Sequence, residues 1–371
     1  MQAQEYMQRA LDLARQGRPW PNPYVGAVVV KDGEIVGAGY HPKAGEAHAE
    51  VFALRQAGEK ARGATLYVTL EPCCHTGRTP PCTEAILKAG ISRVVAATCD
   101  PNPKVCGRGL AILRAAGLEV QHGLLAEQAR KQNEVFFHAV LTARPYFTLK
   151  LAQSLDGKIA TQTGQSRWLT GNQARGWVHQ LRDRSQAIMV GIGTVRADDP
   201  LLNTRLPGGH DPIRIIVDTE GSLPLSAKLW SVPSPIIVAA GRGAAESRLS
   251  ALRGEGAEVL VLSREDGRVN LAALAAALFQ RGITDVLVEG GAALAGALLQ
   301  ANLVDKFHLF LAPLVLGGKN APSSIGGPGW SELAACPKFV MDAVERLGED
   351  LLLTLYPEVS SCLQASLKKW E

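Results

Sequence analysis

The chain has 371 residues, and domains usually run to roughly 100–200, so two domains are the natural division and a stapled mini-protein is excluded. Hydrophobic residues make up 46% and charged residues 20%, a balance that supports a buried core and excludes a disordered chain. The formal charge of +4, with Lys and Arg interspersed among Asp and Glu, excludes the concentrated basic footprint of nucleic-acid binding.

No apolar run reaches the roughly 18–20 residues of a membrane span, and residues 1–20 mix charges with apolar positions at helical spacing. The expectation is a surface helix with no export signal, no membrane partner and a cytoplasmic location. Of the seven cysteines, Cys73, Cys74, Cys82, Cys99 and Cys106 lie close together, with Cys336 and Cys362 remote. Without an export signal they read as reduced thiols, some of them metal-bound. Glycine, at 38 residues, exceeds the roughly 7% average, and clusters such as Gly26, Gly37 with Gly39, and Gly290-Gly291 predict tight turns or close backbone approach to ligands.

In chain order, Tyr6, Leu11, Leu13 and Ala14 mark an opening helix. Strands at 26–30 and 35–38 flank the turn Lys31-Asp32-Gly33, a hairpin signal. A helix at 48–57, a strand at 64–69, a helix at 82–89, a strand at 93–98, a helix at 107–115 and a short strand at 118–121 follow, giving an α/β sandwich. A new pattern starts near Arg144-Pro145, where proline blocks helix continuation. Its apolar strand candidates lie at 146–152, 187–190, 213–217, 235–240, 259–262, 285–289 and 306–311, several separated by helical stretches. This is a second α/β domain with a mostly parallel sheet, and the predicted division is 1–145 and 146–371.

The first half carries His48-Ala49-Glu50, then Pro72-Cys73, then Cys82. A catalytic zinc site takes three protein ligands and leaves one position for water, and His48, Cys73 and Cys82 meet that count. Glu50 then serves as the proton shuttle that does not ligate the metal. Zinc nucleobase deaminases share this arrangement with two residues between the cysteines, whereas here eight intervene. Pro80-Pro81 ahead of Cys82 suits a helix start, whose dipole favours a thiolate. Cys74 and His75 stand close enough in sequence to compete as ligands. Against this stand two plainer readings: a capping histidine with core cysteines, and a closed structural zinc site, which normally takes four ligands and leaves Glu50 unexplained.

The run Pro21-Asn22-Pro23-Tyr24-Val25-Gly26-Ala27-Val28, then His48-Ala49-Glu50, then Glu71-Pro72-Cys73-Cys74-His75-Thr76-Gly77-Arg78-Thr79-Pro80-Pro81-Cys82, then Asp100-Pro101-Asn102-Pro103 resembles the deaminase half of the bifunctional riboflavin-biosynthesis deaminase-reductase family. The long gap between the cysteines is a feature of that family. The resemblance implies a cytidine-deaminase-like α/β/α sandwich and a role for Asn22 in holding the pyrimidine, although a turn or capping asparagine between two prolines fits the sequence as well.

In the second half, residues 285–293 run from an apolar strand through Gly290-Gly291 into a helix at 294–300, where backbone amides can take a phosphate. The stretches 149–160 and 191–205 also follow strands, where open α/β sheets place ligands. These segments resemble the reductase half of the same family, which implies a dihydrofolate-reductase-like α/β domain using NADPH. By that resemblance Ala152, Trp168, Thr194, Asp198, Thr219 and the turn Gly291, Ala292, Ala293, Leu294, Ala295, Gly296 and Ala297 meet the dinucleotide. It likewise sets Ser166, Arg182, Leu202, Arg205 and Glu289 around the substrate. Two arginines near strand-end loops can grip a phosphate by paired hydrogen bonds, while the plainer reading makes them solvated charges and Trp168 a core residue. No acid stands out for the hydride step.

The resemblance thus implies zinc-dependent hydrolytic deamination of 2,5-diamino-6-(5-phosphoribosylamino)pyrimidin-4(3H)-one, then NADPH-dependent reduction of the ribosyl to a ribityl chain, in a homo-oligomer. Two alternatives stand beside it: a deaminase fused to an inactive nucleotide-binding domain, and a zinc-stabilised binding protein without turnover.

Overall fold

The computed structural model of the chain describes residues 2–76, 80–102 and 105–358. Gly77, Arg78 and Thr79 of the insert, Pro103 and Cys362 lie outside the described residues. Contacts divide the chain into two compact units, one within Met1–Ala143 and one beginning at Arg144.

The first unit runs α1 (Ala3–Ala14), β1 (Gly26–Lys31), β2 (Glu34–Tyr40), α2 (Ala49–Ala57), β3 (Thr65–Val68), α3 (Cys82–Lys88), β4 (Arg93–Ala96), α4 (Arg108–Ala115), β5 (Glu119–His122), α5 (Ala126–Gln132) and α6 (Glu134–Thr142). Its five strands pair in the order β2-β1-β3-β4-β5, with β1 antiparallel to both neighbours and β3, β4 and β5 parallel. Alternation along β1 makes two cores. Ala27 and Val29 pack with Ala53, Ile86 and Leu110 of α2, α3 and α4, while Val28 and Val30 pack with Met7 and Leu11 of α1 and Ala129 of α5. In the β1–β2 turn Asp32 has φ 50 and Gly33 φ 80, the left-handed pair that a two-residue type I′ hairpin requires.

The glycines of β1 and β2 serve helices, not ligands. A Cβ on Gly26 would lie 1.9 Å from the Ala10 carbonyl oxygen of α1, and one on Gly37 2.1 Å from that of Ala53 in α2. Bare backbone there lets both helices rest directly on the sheet, which fixes where α2 begins. Helices α5 and α6 extend the unit beyond the last strand that the sequence predicts. Helix α5 buries only Ala129, so no apolar period marks it.

The second unit runs β6 (Tyr146–Ser154), α7 (Asn172–Arg184), β7 (Ala187–Gly191), α8 (Ile192–Asp198), β8 (Ile213–Val217), β9 (Ile236–Gly241), α9 (Glu246–Gly254), β10 (Glu258–Leu262), a short hairpin of β11 (Arg264–Glu265) and β12 (Arg268–Val269), α10 (Leu271–Gln280), β13 (Asp285–Val288), α11 (Ala292–Gln300), β14 (Lys306–Ala312), β15 (Phe339–Leu347) and β16 (Asp350–Pro357). Nine of these strands form one sheet in the order β10-β9-β8-β7-β13-β6-β14-β16-β15. Pairing is parallel from β10 to β14 and antiparallel at β16 and β15. Both faces are covered: Phe147, Leu149, Met189 and Val286 meet α10 and α11, and Ile188, Val190, Ile216 and Leu287 form the opposite core. Burial on two sides is why these strands read as continuous apolar runs. The β15–β16 hairpin was not expected, because Val340, Met341 and Val344 are exposed and leave no clean alternation of buried positions.

Candidate active sites

His48 is the N-cap of α2, Cys82 opens α3 behind Pro81, and Cys73 lies in the loop after β3. Two helix starts and a strand end therefore converge. His48 Nδ1 lies 3.2 Å from Cys82 Sγ and 3.5 Å from Cys73 Sγ, and the Cys82 backbone N–H donates to Cys73 Sγ at 3.3 Å. Tetrahedral zinc, with Zn–N about 2.0 Å and Zn–S about 2.3 Å, needs nitrogen and sulfur roughly 3.5 Å apart, so these residues fit the metal. They are the one such cluster among the described residues; Cys74 and His75 are not part of it. Cys73 accepts from the Cys82 side chain and from His48, which outweighs burial and brings it down to about 4. Cys82, sharing that hydrogen bond and buried, is pushed up. Of the two thiols, Cys73 stands in the setting that favours the thiolate, the form a metal binds.

Glu50, in the first turn of α2, is 3% exposed, and its Oε2 has no hydrogen-bond partner. Burial pushes its carboxyl up in spite of the neighbouring His48 charge. A desolvated carboxyl with an idle oxygen beside a metal-fitting cluster is suited to accept and return a proton. The cavity in front of it has a volume of about 380 Å³ and is walled by Asn22, His41, Asp100, Asn102 and Phe136. That is enough for a small ring. Burial lifts Asp100 to about 7, against the hydrogen bond it accepts from the Asn102 N–H.

Two buried anchors hold the walls. Glu71 accepts from the backbone N–H groups of Asp100, Gly107, Gly109 and Leu110, tying the loop before Cys73 to the start of α4. Asn133, between α5 and α6, accepts from the Tyr24 N–H at 2.7 Å and donates to the Tyr24 carbonyl at 2.9 Å, which pins the loop bearing Asn22.

A larger cavity of about 1390 Å³ opens where the loops after β6, β7 and β13 meet. Ala152, Ser166, Trp168, Arg182, Thr194, Asp198, Leu202, Arg205, Glu289 and Gly291 to Leu294 all line it. Ala295 and Gly296 are buried in α11 and, like Ala297 and Thr219, are not on its wall. Gly296 has a packing reason instead: a Cβ there would lie 1.9 Å from the Gly326 carbonyl oxygen. Thr219 accepts from the Val269 N–H at 3.2 Å. The Gly291 N–H donates to Thr194 Oγ1 at 3.0 Å.

Arg182 sits within α7, not on a strand-end loop, and is not a free phosphate clamp. It grips Glu289 with Nε at 2.6 Å and Nη2 at 2.9 Å and donates its Nη1 to the Asn203 carbonyl at 3.0 Å. Lys150, to which the sequence attached no role, brings Nζ to 3.9 Å from Glu289 and 5.6 Å from the Phe310 ring centre. Burial pushes its ammonium down. A lysine between Leu149 and Leu151 in a buried strand was the available signal. Trp168 is 65% exposed on the cavity wall rather than in a core, with the Arg175 guanidinium 4.5 Å from its ring centre. His41 and Asn133 are the other site residues missed, and neither lies in a pattern that separates it from an ordinary loop residue.

Comparison with known proteins gives two family matches: "Cytidine and deoxycytidylate deaminase zinc-binding region" over residues 1–98 and "RibD C-terminal domain" over residues 145–353. Riboflavin biosynthesis protein RibD of Bacillus amyloliquefaciens is 46% identical over 360 residues, covering 95% of this chain and 96% of that protein. The protein of the same name from Escherichia coli K12 is 44% identical, covering 96% and 99%. Among solved structures, Acinetobacter baumannii RibD matches with a TM-score of 0.85 at 43% identity, covering 95% of this chain and 98% of that one. A Thermotoga maritima structure described as a diaminohydroxyphosphoribosylaminopyrimidine deaminase/5-amino-6-(5-phosphoribosylamino)uracil reductase matches with a TM-score of 0.85 at 37% identity and the same coverage.

Proposed function

Because the chain belongs to the RibD family of bifunctional riboflavin-biosynthesis enzymes, we propose that His48, Cys73 and Cys82 hold its zinc, that Glu50 moves the protons of deamination, and that the larger cavity takes NADPH and the deaminated substrate. The enzyme deaminates 2,5-diamino-6-(5-phosphoribosylamino)pyrimidin-4(3H)-one and reduces the ribosyl group of the product with NADPH. The two alternatives, an inactive second domain or a zinc-stabilised binding protein, are not favoured, since both halves match and near-full-length relatives are named for the pathway. We assign deamination to 1–145 and reduction to 146–371, in agreement with contact units that part at Ala143 and Arg144.

Zinc supplies Lewis acidity that brings a water's ionisation towards neutral pH. Glu50 takes the proton that the water loses as its oxygen adds to the amino-bearing carbon, returns it to the ring nitrogen, and assists departure of ammonia. Asn22 holds the base. NADPH supplies the hydride of the second step. There Glu289, neutralised by Arg182 and Lys150, presents a fixed carboxylate at the cavity wall, and Arg205 on the loop after α8 is placed to meet the phosphate. No helix among the described residues is long and apolar enough to cross a membrane. Our reading is a cytoplasmic enzyme, supported by a site that works only with reduced thiols, and, from the family resemblance alone, a homo-oligomer.

The buried, orphaned oxygen of Glu50 beside the three ligand atoms carries the deaminase assignment. Glu50→Gln should lower ammonia release by roughly 10²–10⁴-fold while zinc content stays at the wild-type level. Full ammonia release in that variant would defeat the assignment, and no NADPH oxidation with freshly deaminated substrate would defeat that of the second cavity.

A further inference from the structure

His41 is buried at the wall of the first cavity, and nothing above uses its ring. Its position is fixed from behind: the His41 N–H donates to the Val25 carbonyl at 2.9 Å, and a Cβ on Gly17 would lie 2.2 Å from the His41 carbonyl oxygen. The ring has two polar neighbours. Nδ1 lies 3.1 Å from the Ala47 carbonyl oxygen, and Nε2 lies 3.0 Å from Nδ2 of Asn22. A carbonyl oxygen only accepts, so Nδ1 carries the hydrogen. The neutral ring then offers a lone pair at Nε2, to which the Asn22 amide presents its NH₂ group. That leaves the Asn22 carbonyl oxygen for a ligand.

We propose that His41 is a positioning residue that sets the orientation of the Asn22 amide, so that its oxygen accepts from an N–H on the edge of the bound pyrimidine. The site thereby prefers an amino-pyrimidinone, whose ring N–H and amino group are donors, over a ring that shows an acceptor there. This rests on the reading of Asn22 as a substrate-binding residue. The same ring meets the imidazole of His48 edge-on at 5.2 Å and is bonded to Ala47, directly before that ligand, so one side chain braces the substrate side of the cavity against the metal side.

Asparagine and glutamine separate the two bonds of the ring. His41→Asn can keep the bond to Ala47 but cannot reach Asn22, whereas His41→Gln carries an amide oxygen near the Nε2 position. In the full-length zinc enzyme, with ammonia release measured over substrate concentration, His41→Asn should lower kcat/KM by roughly tenfold, mostly through KM, at unchanged zinc content. His41→Gln should recover most of that loss, and Asn22→Ala combined with His41→Asn should be no worse than Asn22→Ala alone. Additive losses in the double variant, equal losses for Asn and Gln, or zinc lost from both would make His41 a structural brace and overturn the proposal. Asn22→Ala impaired while His41→Asn behaves as wild type overturns it alone; Asn22→Ala with unchanged kcat and KM overturns the role of Asn22 as well.

Discussion

At Glu289, burial and charge pull in opposite directions. Desolvation alone would raise its carboxyl, but the Arg182 charge, its two hydrogen bonds and Lys150 together bring it down to about 2 from an ordinary 4.5. A group depressed in the folded state stabilises the fold fully above its unfolded value, and that contribution is lost as pH falls towards the folded one. The window is therefore about pH 4.5 down to 2. At neutral pH Glu289→Gln strands a buried guanidinium, which costs about 3–5 kcal/mol. The melting-temperature gap between wild type and Glu289→Gln should be widest at neutral pH and should shrink as pH drops from 4.5 towards 2; a gap that stays constant would contradict the depressed carboxylate. The motif readings named Glu289 and Arg182 as ligand-facing positions, but not that the two would hold each other. Their partnership spans 107 positions and exists only because α7 folds over the end of β13.

Among the elements, the junction of α5 and α6 has the least visible sequence signal for what it does. Asn133 is 1% exposed and closes both backbone groups of Tyr24, 109 positions away. Asn133→Ala removes both hydrogen bonds to the Tyr24 backbone at the base of the loop carrying Asn22, and at about 0.5–1.5 kcal/mol each we expect a loss of about 1–3 kcal/mol in the first unit. Deamination should weaken through KM, with NADPH oxidation unchanged, as separate ammonia and nicotinamide-absorbance assays would show. The strands around it were legible where both faces are buried: β1 and β7 are each short, nearly continuous apolar runs. The β15–β16 hairpin was not, because its outer strand hides little from water.

On the scale of the whole chain there are two units with separate cores, and we propose that each carries one of the two reactions. Removing zinc with a chelator should abolish ammonia release yet leave NADPH oxidation intact when the deaminated substrate is supplied; loss of both together would show that the metal supports more than the first unit. Folding of metal-binding domains is coupled to the metal, so melting of the first unit should fall on chelation while that of the second holds. The sequence by itself determined the family, the α/β class and which residues to propose as zinc ligands and proton shuttle, because metal chemistry admits few residue types and His48, Glu50, Cys73 and Cys82 stand at the starts and ends of short regular elements. What only the tertiary structure decided are the contacts among residues far apart in the chain: Arg182 with Glu289 and Lys150, Asn133 with Tyr24, His41 with Asn22, and the glycines of the first sheet, which make room for helices. Such pairs have no local pattern, since a hydrogen bond or a bare backbone surface depends on which elements meet, and the hydrophobic packing of each core settles that.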